Sequence, residues 1–411
     1  MFSRRLKTGY FILEGLNSFA TVYYFYYLYF FMRQQYGFGN QANLALAALS
    51  GGSYALFAWS GGRFAQRFGY FTALKLGFTV MICALMVGMN LKIAAGQVIA
   101  MVFVVFGMSF TWPTLEALVS EQEPPGGLQH MVGIYNVVWA ATASIANFFG
   151  GAMLEKLGPA SLFYVPMTVQ LAQLGLTLWL QKQARPLLGD QNASQTDPGA
   201  NVSTPTGNKP APSEAPEHTK QARTKAQAFL RMAWLANPFA YIAINTLIAA
   251  MPGVAGRLHL STMLAGFCGS VWCFARLGAF AFLWQWSGWH YRFRWLLTCY
   301  LVLIGAFASI LLAPNLAVLV SAQIFFGGAI GLIYYSSLFY SMDVGDTKGE
   351  HGGIHEAVIG LGNCAGPTVG AAALHFLPRQ ANSGALAVTG LLFAGLAGLL
   401  CIWRLGKRKG S

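Results

Sequence analysis

Shifted by 220 residues, the sequence overlays itself in three separate places. The stretch from Gly133-Ile134 to Gly150-Gly151-Ala152-Met153-Leu154 matches the one from Gly353-Ile354 to Gly370-Ala371-Ala372-Ala373-Leu374. The identities are Gly133/Gly353, Ile134/Ile354, Val138/Val358, Gly150/Gly370, Ala152/Ala372 and Leu154/Leu374. The same shift pairs Phe106-Gly107 with Phe326-Gly327, and Asn17, Phe19 and Ala20 with Asn237, Phe239 and Ala240. One offset serving three segments implies two copies of one unit. It constrains the fold to two like halves, with any shared site expected between them.

The solvent for those halves follows from composition. The chain is 55% hydrophobic and 9% charged, with a mean hydropathy of +0.50, whereas a soluble domain carries about 25% charged residues. Most of its surface must therefore face lipid. The net charge of +13 forms no basic amphipathic stripe, so nucleic acid is not an expected partner. The cysteines lie inside apolar stretches with no CxxC spacing, which argues against a disulfide framework or a structural metal.

A spanning helix needs about 20 apolar residues. The spans expected on that basis are 9–31, 41–61, 71–91, 96–119, 133–154, 160–181, 229–250, 262–284, 293–313, 316–340, 353–375 and 385–404. The first is read as a retained span rather than a cleaved signal. The fold expected is an all-α membrane protein of twelve transmembrane helices in two pseudo-symmetric six-helix bundles, residues 1–182 and 227–411. The segment 183–226 is rich in Pro, Ser, Thr, Asn, Gln and charge, and reads as a disordered linker. With both termini cytoplasmic, the outer loops hold Arg33, Lys92, Lys156, Arg257 and Arg379. Arg276 lies within a span, and the inner side takes 20 of the 26 Lys and Arg. This asymmetry favours a cytoplasmic membrane with both ends inside. Five tyrosines between Tyr23 and Tyr29 read as an interfacial aromatic belt at the outer end of the first span.

Twelve spans, a six-plus-six duplication and a long central linker resemble the major facilitator superfamily. Two motifs carry the likeness. The family's G-x-x-x-D-R-x-G loop between its second and third helices is matched by Gly62-Arg63-Phe64-Ala65-Gln66-Arg67-Phe68-Gly69, with Gln66 in place of the Asp. The antiporter motif G-x8-G-x3-G-P-x2-G-G is partial in the fifth span, at Gly133, Thr142, Ala146, Asn147, Gly150 and Gly151. It is nearly complete in the eleventh, at Gly353, Gly362, Gly366, Pro367, Gly370 and Ala371. The family's fourth-helix Arg, four residues before a Gly, is absent: Phe103 precedes Gly107. The resemblance implies that the eleventh span meets the second across the halves, with the glycine row and Gly51-Gly52 at the contact. It also implies an eighth span that faces the opposite half.

Charges inside spans are costly and mark candidate function. Arg276 stands near the middle of span 262–284; a guanidinium there suits a carboxylate or phosphate oxygen, or a structural carboxylate partner. Glu14, with Asn17 and Thr21 on the same helical face, is a candidate proton carrier or a carboxylate paired near the inner surface. Asn237, Tyr241 and Asn245 form the matching stripe in the second half. Trp112, Tyr335 and Tyr340, near the ends of repeat-equivalent spans, suit a polar organic ligand, and Pro113 can kink its helix. Glu116 reads as an interfacial pairing residue. Glu356 complements a helix N-terminus, and Arg63 or Arg67, beside Gln66, is expected to pair with it as a cytoplasmic gate. His351 and His355 straddle two glycines and make a poor metal site.

The expected function is secondary active transport of a small polar or anionic organic solute by alternating access, as symport or antiport, with protons as a candidate coupling ion. The alternative is proton-driven export of amphipathic compounds. No G-x-x-x-x-G-K-[ST] run, G-x-S-x-G or H-E-x-x-H is present, so neither ATP hydrolysis nor an enzyme is expected. No cofactor or metal is expected, and the partners are a solute and the lipid bilayer around a monomer.

Overall fold

The computed structural model describes residues 4–120, 125–195, 217–344 and 350–408, with side chains for 5–119, 130–131, 133–184, 224–341 and 356–407. The described residues form thirteen helices: α1 (Arg4–Tyr36), α2 (Asn40–Phe68), α3 (Tyr70–Asn90), α4 (Ala94–Ser120), α5 (Pro125–Leu157), α6 (Ser161–Gln195), α7 (Glu217–Arg257), α8 (Thr262–Gly269), α9 (Val271–Gln285), α10 (Phe293–Leu311), α11 (Leu316–Val344), α12 (Glu350–Phe376) and α13 (Ser383–Arg408). α8 and α9 are one membrane span interrupted at Ser270, which leaves twelve spans. Nine are long and apolar enough to cross a bilayer by hydropathy. The three that fall short are α1, α2 and α6, in which Tyr, Asn, Gln, Ser and Gly dilute the apolar residues.

The 220-residue offset also overlays the helix limits: α1 on α7, α2 on α8 with α9, α3 on α10, α4 on α11, α5 on α12 and α6 on α13. The halves meet along two related seams, α2 against α12 and α5 against α8 and α9. Lipid gives apolar helices little reason to associate, so close backbone approach at small residues must do it. A Cβ at Gly51 would lie 2.5 Å from the Cys364 nitrogen, and one at Gly360 would lie 2.6 Å from the Ala55 nitrogen. The glycine row of α12 divides its partners: Gly362 and Gly366 press on Pro238 and Ile242 of α7, and only Gly370 reaches Leu44 of α2. The expected α2 contact therefore exists at Gly51, with Gly360 and Gly370 on the α12 side, while Gly362 and Gly366 serve packing within their own half.

Large apolar side chains such as Leu56 and Ile93 remain exposed on the outer surface, where lipid would cover them. α1 is the opposite. Tyr23, Tyr24, Tyr26, Tyr27 and Tyr29 are all buried, so they form no headgroup belt. Tyr23 shares a hydrogen bond with Ser161, Tyr26 donates to the Gly269 carbonyl and Tyr27 donates to the Asn147 carbonyl. Enclosure of α1 by α4, α5, α6 and α7 explains the difference. α6 continues to Gln195 and α7 starts at Glu217, so both ends of the segment 183–226 are helical rather than disordered. Their Gln, Lys, Arg and Ala are good helix formers. Residues 196–216 lie outside the described residues. The turn between α2 and α3 is Gly69 alone, with φ of +90°, a left-handed geometry that accounts for the last glycine of the loop motif.

Gly51→Ala is expected to destabilise the protein by about 1–3 kcal/mol through overpacking. Gly278→Ala, with nothing within 4 Å of its added Cβ, should be neutral or mildly stabilising. Melting temperatures in detergent check the pair.

Candidate functional site

A cavity of about 210 Å³ lies between the halves, lined from α1, α2, α4 and α5 on one side and from α7, α9, α11 and α12 on the other. Arg276 of α9 is its cation. Its guanidinium is stacked between two indoles, 4.5 Å from the Trp139 ring centroid and 4.7 Å from that of Trp272. It is 6% exposed, its Nε has no hydrogen-bond partner, and it forms no ion pair among the described residues. The carboxylate partner that would have made Arg276 purely structural is therefore not there. Contact with both indoles offsets part of the hydration that the buried cation loses.

The break at Ser270 fixes that arrangement. An interrupted helix frees carbonyls that the bilayer cannot solvate, and each here finds a donor. The Ser270 hydroxyl donates to the Phe267 carbonyl at 2.9 Å, Gln323 Nε2 to Cys268 at 2.9 Å and the Tyr26 hydroxyl to Gly269 at 3.1 Å. Below the break, Asn147 Nδ2 donates to Cys273 Sγ at 2.8 Å, tying α5 to α9. Trp139 crosses the seam the other way, with ring contacts to Phe280 at 5.6 Å and Tyr334 at 5.5 Å. Its orientation is set by Nε1 donating to Asn136 Oδ1 at 3.1 Å and by its carbonyl accepting from Ser18 at 2.8 Å.

The second charged lining residue is Glu356 of α12, whose Oε2 accepts from the Tyr54 hydroxyl at 2.6 Å. Tyr135, Tyr241 and Tyr334 also lie within its field. Behind the lining, Glu14 is fully buried, and neither of its oxygens has a hydrogen bond of ordinary geometry. The Tyr135 side chain interacts with it, and the charges of Glu116 and Glu356 reach it. The described residues contain no cluster of His, Cys, Asp and Glu fit to hold a metal.

The family model for the Major Facilitator Superfamily matches residues 11–367. The chain belongs to the Major Facilitator Superfamily. It is a multi-pass membrane transporter rather than an enzyme, and it takes a small-molecule substrate. Solved structures of similar shape include the human organic anion transporter MFSD10 (TETRAN), at 14% identity over 97% of this chain and 100% of that one, with a TM-score of 0.62. They also include a point mutant of the peptide transporter POT, at 14% identity over 98% and 95% of the two chains, with a TM-score of 0.67 alone and 0.68 in complex with sulfate. No curated protein matches the sequence.

Of the residues singled out in this superfamily member's sequence, Arg276, Tyr241, Trp112 and Glu356 line the cavity, as do Thr21 and Asn245 from the two polar stripes. Asn17 and Asn237 are buried outside it. Tyr335 turns to Phe280 and Trp289, and the Tyr340 hydroxyl accepts from the Tyr291 backbone N–H at 3.0 Å. These two tyrosines pack the helix end, and Tyr334 is the one that reaches the cavity. The expected gate is not formed. Arg63 stacks on Trp59 and Arg67 on Phe68, and both are exposed together with Gln66. Glu356 sits opposite Tyr54, nine residues before Arg63 on α2, roughly 13 Å along the axis at 1.5 Å per residue. Glu350, His351 and His355 have no described side chains. Sequence reading missed Trp139, Trp272, Tyr54 and Asn147. Only Asn147 left a signal, since it occupies the position of the antiporter motif's proline.

Tyr26→Phe is expected to cost about 1–3 kcal/mol by leaving the Gly269 carbonyl unsatisfied. A lowered melting temperature in detergent, with Tyr27→Phe as comparison, reads it. No loss would mean that the break needs no side-chain donor there.

Proposed function

We propose that the protein carries a small organic anion across a cytoplasmic membrane, with both termini in the cytoplasm, by rocking its two halves about the Arg276 cavity. One observation carries the reading: a buried guanidinium, held by two indoles and not by a carboxylate, faces a cavity lined by both halves. A charge at that depth is costly unless it has a function, and its free edge fits carboxylate or phosphate oxygens. The organic anion transporter among the similar structures accords with this chemistry. Lysine and arginine bias supports the orientation.

Alternation between faces requires contacts that can part. On the face away from both termini, Gln34 Nε2 donates to Thr262 Oγ1 at 2.7 Å, and Glu155 Oε2 accepts from the Met263 backbone N–H at 2.9 Å. Both are polar links between one half and the other, suited to breaking and remaking. The aromatic lining, with Trp112, Trp139 and Trp272, also favours a second reading, export of amphipathic compounds through the same cavity.

A panel of carboxylates, phosphorylated metabolites, sugars and cationic drugs should separate the two readings by thermal shift. Anions are expected to raise the melting temperature of wild type, and Arg276→Ala to lose that response while still folding cooperatively. Equal stabilisation of both proteins by cations or neutral amphiphiles would overturn the anion reading and favour the exporter.

Glu14 suits proton coupling, because it is fully buried and Tyr135, which interacts with it, lines the cavity. In proteoliposomes, Glu14→Gln is expected to abolish acceleration of flux by a pH gradient and to spare exchange of solute between equal pools. Unchanged gradient dependence would remove Glu14 from the coupling path.

A further inference from the structure

We propose that the cavity is built for a dipolar solute, one small molecule bearing both an anionic group and an ammonium group. This rests on Arg276 as the anion anchor and adds Glu356 as the anchor for the ammonium end.

Arg276 and Glu356 are the two charged residues in the cavity lining. They do not pair with each other: Arg276 makes no ion pair, and Tyr241 lies within the field of both. A simple anion at Arg276 would leave the Glu356 carboxyl unmatched by the solute, and a simple cation at Glu356 would leave the guanidinium unmatched. A molecule with both charges meets each wall with its opposite.

The surroundings of the two residues differ in the way such a ligand requires. The Arg276 guanidinium carbon lies over the Trp139 and Trp272 rings, 4.5 and 4.7 Å from their centroids. Its N–H groups suit an oxyanion. Glu356 sits instead among tyrosines. Tyr54 donates to it at 2.6 Å, and Tyr135, Tyr241 and Tyr334, which also line the cavity, lie within its field. A carboxyl group in a cavity that is also lined by tyrosines is a composition that suits an ammonium group. Both anchors belong to the second half, on α9 and α12, while Trp139, Tyr54 and Tyr135 come from the first. A dipolar ligand would thus touch both halves at both ends.

The test uses two matched triads: phenylalanine with hydrocinnamate and phenethylamine, and aminocaproate with caproate and hexylamine. Each is titrated against purified wild type, Arg276→Ala and Glu356→Gln by thermal shift at one pH. The dipolar member of at least one triad is expected to act on wild type at concentrations roughly tenfold lower than its acid or its amine. Glu356→Gln should bring the dipolar solute level with its acid, and Arg276→Ala should bring it level with its amine. A kept response to the acid shows that Glu356→Gln is folded. If the acid equals the dipolar compound in wild type and Glu356→Gln changes neither, the cavity takes simple anions. The dipolar assignment is then overturned, and the anion reading stands. Stabilisation that survives Arg276→Ala unchanged for every compound overturns both. Silence from both triads also overturns the dipolar assignment.

Discussion

A guanidinium buried in a membrane span, with no carboxylate partner among the described residues, is the constraint around which the centre of this protein is arranged. Arg276 is tolerable there because two indole faces replace part of its lost hydration. Those indoles come from opposite halves, Trp139 on α5 and Trp272 on α9, so the charge is held at the seam. The helix break six residues before Arg276 would be a second liability in lipid. It is neutralised by Tyr26, Gln323 and Ser270, whose side chains take the freed carbonyls. The polar atoms near the cavity thus keep an irregular helix satisfied beside a buried charge.

Duplication built the frame, and divergence built the site. The helix limits of the two halves agree at one offset, and the two seams are equivalents of one another. The charged anchors are not repeated. The residue matched to Glu356 is Asn136, which orients Trp139. The residue matched to Arg276 is Leu56, 74% exposed on the outer surface. The break at Ser270 has no counterpart in α2, and the seam faces of the two copies are out of register there. Asymmetry of this kind gives a symmetric scaffold a cavity with a positive and a negative wall.

The spans, the duplication and the superfamily were legible in the sequence because they depend on hydropathy, length and glycine spacing. Arg276 was legible because charge in a span is rare. Tyr241, Asn245 and Thr21 followed from helical periodicity. The periodicity failed at Tyr335 and Tyr340, where one residue of rotation decides whether a ring faces the cavity or the helix behind it, and Tyr334 is the neighbour that enters. The tyrosines of α1 looked interfacial because composition does not reveal that a helix is enclosed on every side. The pairing of Arg63 or Arg67 with Glu356 is not made in this conformation for a related reason: a shared motif fixes the loop, and depth along α2 decides which residue meets Glu356. Trp139 and Trp272 left no mark, since an indole in an apolar helix is ordinary until a cation is seen beside it.

The claim that the free edge of Arg276 receives the solute is open to one direct measurement. Isotope-labelled arginine gives each guanidinium an Nε–H resonance, and Arg276→Lys identifies the one belonging to Arg276. The Nε is enclosed and has no partner in the structure, so saturation with an anion held by the guanidinium should shift that resonance. A resonance that stays in place while the protein is saturated would show that the solute binds elsewhere and that Arg276 is held for structure alone.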